Sequence, residues 1–330
     1  PKLMAIKSSG SSLAFSEIEA EFGANGERSL GDYRLSQSVG ELTLPLDSGI
    51  PTSGTIKFSD FYGKKLNVVV DMHSGGTEYR KSAKSDKWNN NQVTVVGGFR
   101  SKKESGSRII IHINKKFGSD KSSVNNVAVK TGSWSAASVQ VDVGGEGQVL
   151  GAGGDGGQGG SCLSGGQNGS SGTSGLGIQH NGIIVNVLSG GIIRAGFGGG
   201  GGGGGGRQSD KNADRRASGG GGGGGAGFPN GEGAPSVGGC GGSGVEGGDD
   251  SNDTTAGEGG NGANNANQAS GGRGGDGGQF GENANNGNSA QAGGGSAGGN
   301  GAAIRRTSGF NVTINNNGTI QGSTTATGVG

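Results

Sequence analysis

Cysteine, proline and aromatic residues are scarce in this chain. Of 330 residues, 2 are cysteine and 5 are proline, aromatics make up 5%, and apolar residues of all kinds only 28%. Two cysteines do not make a disulfide framework. So little apolar surface excludes one conventional core along the whole length, and it confines such a core to the first 143 positions, where the apolar residues crowd. No apolar run approaches the roughly 20 residues needed to span a bilayer, and "PKLMAIKSSGSS" lacks the apolar stretch of a secretory signal. The expectation is a soluble protein made in the cytoplasm, with Pro1 exposed by removal of an initiator Met. Net charge is +1 with both signs intermixed, so neither nucleic acid nor an anionic membrane is implied as a bulk partner.

Familiar chemical signatures are missing as well. Poly-glycine satisfies a dinucleotide fingerprint trivially, and no phosphate-binding P-loop occurs. His73, His112 and His180 lie far apart and no His or Cys pair has zinc spacing, so no metal or other cofactor is expected. His112 in "IIIHIN" reads as a strand residue on a polar face. "DDSNDTTAGE" (Asp249 to Glu258) alternates carboxylates as calcium loops do, but it lacks their central glycine and final glutamate. The chain is not expected to be an enzyme.

What the chain has in abundance is glycine, 84 residues of it. "GGDGGQGGS", "GGCGGSG" and "GGRGGDGGQ" repeat Gly-Gly-x with period three, and Gly198 to Gly206 and Gly219 to Gly225 are uninterrupted. A flexible linker needs no period. A polyglycine-II helix has three residues per turn and no internal hydrogen bonds, so its backbone groups need partners in neighbouring helices, and only glycine lets backbones approach that closely. Gly-Gly-x runs suit the outside of such a bundle, with x facing water; the uninterrupted runs suit helices surrounded by neighbours. Ordering glycine costs about 1–2 kcal/mol per residue, which dense hydrogen bonding has to offset. At ~3.1 Å per residue a nine-residue run spans about 28 Å.

Three segments frame this region with V-x-[VI]-x3-G-x-[VI]-x-[GA]: "VDVGGEGQVLG" from Val141, "VNVLSGGIIRA" from Val185 and "VTINNNGTIQG" from Val312. Each reads as strand, turn and strand, together a common base for glycine-rich excursions. Upstream, β-branched runs between Leu66 and Val143 predict an all-β segment such as a sandwich, with Trp88 and Trp134 packing at its ends. Further upstream, "SSGSSLAFSEIEAEFG" and "PTSGTIKFSDFYG" repeat Ser-Gly, aliphatic, Phe-Ser, acid, with "RSLGDYR" a shorter version. Ser16 and Glu19 read as a capping box. Short helical turns pinned by Phe15, Ile18, Phe22, Phe58 and Phe61 follow, either as staples of a small domain or as a docking module.

The predicted fold is therefore mainly β and irregular. A small N-terminal module occupies 1–64, a β-rich domain 65–143, and a polyglycine-II bundle anchored on strand repeats 144–322, with a tail at 323–330. Tracing up and down from the strand base sends 161–174, 207–218, 249–256 and 282–292 to the far end, and turns "FPNGEGAPSV" and "ANNANQAS" at the near end. This separates Cys162 from Cys240, so both are expected as free thiols. Two far-end loops carry charge suited to polar recognition: Arg207, Gln208, Asp210, Lys211, Asn212, Asp214, Arg215 and Arg216 in one, Asp249, Asp250, Asn252 and Asp253 in the other. Asn283, Asn285 and Asn286 add a third, and each loop reads equally as a solvated turn.

The Ser-Gly-x-[IL]-x-Phe-Ser-[DE] modules, the strand repeats "NNNGTIQG" and "SGGIIRAGFGGGGGGGGG" and the Gly-Gly-x runs together resemble glycine-rich tail-fibre and tail-tip proteins of bacteriophages. These include the distal tail-fibre adhesins of T-even-like phages, whose glycine-rich domain is a stack of polyglycine-II helices carrying recognition loops. The resemblance implies a virion protein at a fibre or tail tip, attached to other tail proteins through residues 1–64 and binding a host surface protein or glycan, with several copies in the virion. A non-adhesive decoration protein and an ice-binding polyglycine-II slab are the other readings. The latter predicts Thr or Ala at x, where the sequence has Asp, Gln, Ser, Cys and Arg.

Overall fold

A computed structural model describes residues 6–23, 29–34, 36–39, 42–72, 78–79, 81–82, 93–94, 106–136, 138–210, 213–237, 240, 243–265 and 269–329. It opens with α1 (Phe15–Phe22). Single 3₁₀ turns follow at Leu30–Tyr33 and Phe58–Phe61, one for each copy of the repeated module. In all three the acid of the module reaches back three residues to a free backbone N–H at the start of the turn. The Ala14 N–H donates to Glu17 Oε2 at 2.7 Å, that of Ser29 to Asp32 Oδ2 at 2.8 Å, and that of Lys57 to Asp60 Oδ2 at 2.7 Å. This is the acidic half of a capping box, and in α1 it is Glu17 rather than Glu19 that supplies it, because the helix begins at Phe15 instead of after Ser16. That backbone bond, followed by the Lys7 ammonium, holds the Glu17 carboxyl below its ordinary pKa.

Ile18, Phe22, Tyr33 and Phe61 are fully buried. Phe22, Tyr33 and Phe61 meet edge to face or tilted, with ring centroids 5.7–6.1 Å apart. Phe15 packs beside Tyr33 and Phe58, and Phe58 is the exposed member.

Strands β1 (Ser36–Val39) and β2 (Leu42–Pro45) form an antiparallel pair. The chain then winds five times around three sheets. The first rung is β3 (Asn67–Met72), β4 (Glu78–Tyr79) and β5 (Lys81–Ser82), with β6 (Val93–Thr94) antiparallel on β3. The second is β7 (Arg108–Ile113), β8 (Lys116–Gly118) and β9 (Val127–Lys130), and the third β10 (Ser138–Val143), β11 (Gln148–Leu150) and β12 (Ser174–Ile178). The fourth begins with β13 (Ile183–Val187) and β14 (Ile192–Arg194). It departs through the short pairs β15 (Gly206–Asp210) with β16 (Ala213–Ala217) and β17 (Asn264–Asn265) with β18 (Ala269–Ser270), and closes on β19 (Ile304–Arg306). The fifth is β20 (Val312–Asn316), β21 (Thr319–Gln321) and β22 (Ala326–Thr327).

Equivalent strands of successive rungs pair in parallel, so the β-rich part is a three-sided stack instead of a sandwich. Alternation of apolar and polar residues is the same for both architectures; only the partner differs. The inward residues Val70, Ile111, Val141 and Val185 from one side, Phe117, Val149 and Ile193 from the second, and Val129, Leu176 and Ile304 from the third share one apolar core with the N-terminal aromatics. The strand repeats are consecutive rungs, Val141 opposite Val185 and Ile193 opposite Ile320. Where the motif aligns Ile314 with Val187, the sheet pairs it with Val185. The slip is two residues, which keeps the same face inward. Trp134 is buried and its indole N–H donates to the Thr131 carbonyl at 2.7 Å; Trp88 lies outside the described residues. His112 sits on an outward-facing strand position but is fully buried, in register with Asp71 and Asp142.

The glycine-rich excursions leave between the second and third sides of rungs three and four. They run back and forth as extended segments without helix or sheet, and their hydrogen bonds recur every third residue. Gly154, Gly157 and Gly160 donate to Phe197, Gly200 and Gly203; Gly200 and Gly203 donate in turn to Gly223 and Gly220. Residues 198–206 bond to 151–160, 164–173, 219–226, 271–278, 285–288 and 292–301, and are surrounded. Residues 219–225 are enclosed in the same way, and both runs are fully buried. In the outer Gly-Gly-x run, Arg273 and Asp276 occupy x and pair with each other at 2.8 Å.

A β-carbon on Gly201 would stand 2.0 Å from the Gly295 carbonyl oxygen, whereas at Gly293 it would meet nothing within 4 Å. Gly201→Ala is expected to destabilise the fold by about 3 kcal/mol or more and Gly293→Ala to change it by less than about 1, as chemical denaturation reads it. Phe61→Ala, which opens a cavity in the shared core, is expected to cost about 3–5 kcal/mol in the same measurement.

Candidate functional site

The far end of the glycine-rich segments collects short polar loops. The hairpin β15–β16 extends directly from the buried run 198–206 and returns into 219–225. The β17–β18 pair stands next to it, with Ala217, Ala263 and Ala269 packed together beneath, beside Val245. The turn at Ser161–Ser164, closed by Ser164 N–H donating to the Ser161 carbonyl, adjoins Gly205 and carries the exposed Leu163. A last turn at Ala290–Ala292 completes the group.

Cys162 and Cys240 form a disulfide here, with Cα atoms 5.3 Å apart. The free-thiol expectation is thereby corrected, and the reason lies in the trace. The chain turns tightly at the base over Gly227–Asn230, then climbs again along 151–160, with Gly156 N–H donating to the Glu232 carbonyl. "FPNGEGAPSV" is therefore a turn plus an ascending segment, and Cys240 reaches the far end. Everything after it is displaced by one traverse.

That displacement moves two of the three expected loops. Asp249, Asp250, Asn252 and Asp253 belong to a descending segment and its base turn. Asp253 pairs with Lys116 at 2.5 Å, Asp250 accepts from Gly233 N–H, and Asn252 Oδ1 accepts from Thr254 and Thr255. Asn283, Asn285 and Asn286 climb from a second base turn at Gln279–Glu282. Their side chains bond Asn300, Asp276 and the Ala297 N–H along the flank. "ANNANQAS", placed at the near end by the sequence, contains β17 and β18 and lies at the far end.

The hairpin is where the sequence put it. Arg207 pairs across it with Arg216, Gln208 with Arg215, and Asp214 with Ser209 in β-register. Arg207 and Arg215 are half-buried and Arg216 is exposed. Lys211 and Asn212 lie outside the described residues. With Asp210 and Asp214 the hairpin sequence sets four basic residues against two acidic ones. Guanidinium groups on a short hairpin suit carboxylate, phosphate or sugar hydroxyl acceptors.

At the opposite end the slab is bolted to the β-stack. The Lys116 ammonium lies 3.7 Å from the centre of the Phe228 ring and pairs with Asp253, while Lys121 pairs with Asp155 at 2.6 Å. Arg194 donates to the Gln321 side chain and the Asp253 carbonyl. Burial lowers its pKa from the ordinary value, against the pull of Asp253. Sequence reading missed this joint because its members are spread from 116 to 321 and no motif links them. Of the residues proposed for attachment, Ile18, Phe22 and Phe61 are core, Phe15 is half-buried and Phe58 exposed.

A family model for the phage tail fibre adhesin Gp38 matches residues 78–325, three quarters of the chain and every strand of the five rungs except β3 and β22. The chain belongs to the Gp38 family of phage tail fibre adhesins. It is accordingly a binding protein of the virion tail fibre and not an enzyme, which sets aside the decoration and ice-binding readings. Among solved structures, the gp37-gp38 adhesin tip complex of the bacteriophage S16 long tail fibre is similar at 22% identity, over 82% of this chain and 88% of that one, with a TM-score of 0.40. A comparison with curated proteins finds no match.

The disulfide joins loops separated by 78 positions. Cys162→Ser with Cys240→Ser is expected to lower unfolding stability by up to about 4 kcal/mol. Adding a reductant should leave the double variant's melt unchanged and lower that of the unaltered chain.

Proposed function

We propose that this Gp38-family adhesin recognises a host cell-surface protein or glycan through its far-end loops, the hairpin 207–217 foremost, and that the other end of the molecule is held by a fibre protein. The observation that carries the reading is the hairpin's position: a short, basic loop springing from a run that is hydrogen-bonded on every side. Binding residues on loops that a rigid scaffold holds lose little freedom on contact. Arg207, Arg215 and Arg216 are the proposed anchors for acidic or hydroxyl-rich groups, with Gln208, Asp210, Lys211, Asn212 and Asp214 completing the loop.

We infer further that the extended segments are polyglycine-II helices. Hydrogen bonds repeating every third residue, to neighbours on all sides, are what a three-residue turn without internal bonds requires. The Asp249–Asp253 and Asn283–Asn286 groups are not retained as contact loops, since their side chains serve the base and flank. Several copies of the tip would add avidity to weak polar contacts.

The test is competition. Purified chain is expected to block adsorption of the virus to host cells, and Arg207→Ser/Arg215→Ser/Arg216→Ser, with an unaltered melt, is expected to need at least tenfold more protein for the same block. Equal potency of the folded variant removes the hairpin from the site.

A further inference from the structure

The loops of the far end form a closed ring, and one of its links is covalent. Gly205 and Gly206 lead into the hairpin β15–β16. A β-carbon on Gly206 would stand 2.1 Å from the Ser270 carbonyl oxygen, so the root of the hairpin lies directly on β18. β18 pairs with β17, and Asn264 of β17 exchanges both backbone bonds with Ser243, at 2.9 and 3.2 Å. Shortly before Ser243 stands Cys240, bonded to Cys162. The turn that carries Cys162 returns to the start. Gly205 N–H donates to the Ser164 carbonyl at 3.0 Å, and the Cys162 carbonyl oxygen lies 2.2 Å from where a β-carbon on Gly205 would be.

The ring stands where the glycine lattice ends, and its other links are weak. The apolar cluster beneath it is three alanines beside Val245, too little burial to fix the loops. Ser164, Ser243, Asn264 and Ser270 are exposed, and backbone bonds between exposed segments open locally while the rest of a fold stays closed. Cys162 carries a second, independent sign of constraint. Its φ is 46°, in the left-handed region, and among the described residues it is the only one besides glycines with positive φ. A residue with a side chain stays in that region only where its surroundings hold it, and the bond to Cys240 is the covalent hold on this turn. Both cysteines are half-buried, within reach of a small thiol.

We propose that the Cys162–Cys240 disulfide is a redox-operated lock on the recognition hairpin. Closed, it completes the ring and holds 207–217 in its binding position. Reduced, it frees the turn at Ser161–Ser164 and lets the hairpin move while the slab stays folded. This rests on the reading above that the hairpin makes the receptor contact. The opening step is thiol–disulfide exchange: a dithiol gives up two electrons and two protons, the S–S bond breaks into two cysteine thiols, and the reductant leaves as a cyclic disulfide. A small external disulfide runs the step in reverse and is itself reduced to two thiols. Bacterial cytosol keeps thiols reduced, whereas disulfides persist outside the cell. The lock is therefore open where a phage chain is made and closed where the fibre meets its receptor.

The full chain is compared in three states: oxidised, reduced with dithiothreitol and then freed of it in oxygen-free buffer, and reoxidised with a small disulfide. Backbone hydrogen exchange is followed at Gly205, Ser243 and Asn264 in the ring and at Gly200 and Gly222 in the slab. Reduction is expected to speed exchange about tenfold or more at the ring amides and to leave the slab amides as they were. The reduced chain is expected to need about tenfold more protein to block virus adsorption, with potency regained on reoxidation. Cys162→Ser/Cys240→Ser is expected to behave as the reduced chain does, with or without dithiol. Ring amides that ignore reduction overturn the proposal. So do slab amides that open together with them, since the bond would then serve the whole fold, and so does equal blocking potency of the oxidised and reduced chains. Arg207→Ser/Arg215→Ser/Arg216→Ser separates the two readings: full blocking by this variant, still lost on reduction, removes the arginines as anchors and leaves the lock in place. If the oxidised chain has no blocking potency at all, receptor recognition fails, and the ring amides decide the lock alone.

Discussion

The backbone hydrogen bond between glycines of neighbouring segments is the interaction on which this molecule depends. Carbonyl oxygens lie about where a β-carbon would be, 1.9 Å away at Gly200 and 2.0 Å at Gly203. No other residue fits at such positions, and the apolar side chains of the slab are few and gather near its ends, Phe197 with Ala195 and Ala226 at the base and Ala217, Ala263 and Ala269 under the loops. Hydrogen bonds thus have to do what a hydrophobic core does elsewhere, each contributing about 0.5–1.5 kcal/mol net against an ordering cost of similar size per residue. That balance closes only when nearly every N–H and C=O is paired, which accounts for segments enclosed on all sides and for the confinement of side chains to the rim and the loops.

The β-stack supplies what such a slab lacks, a nucleus with ordinary apolar packing. Its third and fourth rungs hold both ends of each excursion in register, and the Lys116, Asp253, Phe228 and Arg194 contacts fix the angle at which the slab leaves. The far-end hairpin is thereby held in a fixed position relative to the stack.

Period three in the glycine runs announced cross-bonded segments, and the absence of side chains in 198–206 and 219–225 announced which of them are enclosed. Both are local consequences of where a β-carbon can be tolerated. The stacking of "VDVGGEGQVLG" on "VNVLSGGIIRA" was legible for a similar reason, the repeat being the rung itself. Parallel pairing was not, since β-branched alternation serves a sandwich equally well. Nor was the direction of each traverse after Pro229. Gly231 and Gly233 pack against neighbouring backbone as segment glycines do, but the Pro and Asn around them carry the stronger signal of a turn. One traverse lost in this way inverted the position of three later groups, Asp249–Asp253, "ANNANQAS" and Asn283–Asn286, and concealed the pairing of Cys162 with Cys240. The hairpin escaped because it precedes the ambiguity.

The three-residue step of the hydrogen bonds also constrains how the sequence can change in length. Removing or adding one residue within a segment puts every later residue out of step with its hydrogen-bond partners and brings x positions to places where glycine meets neighbouring backbone. Only whole steps of three can be gained or lost without breaking the lattice. Between segments no such arithmetic applies, so variation in length is channelled out of the slab and into the loops at its ends.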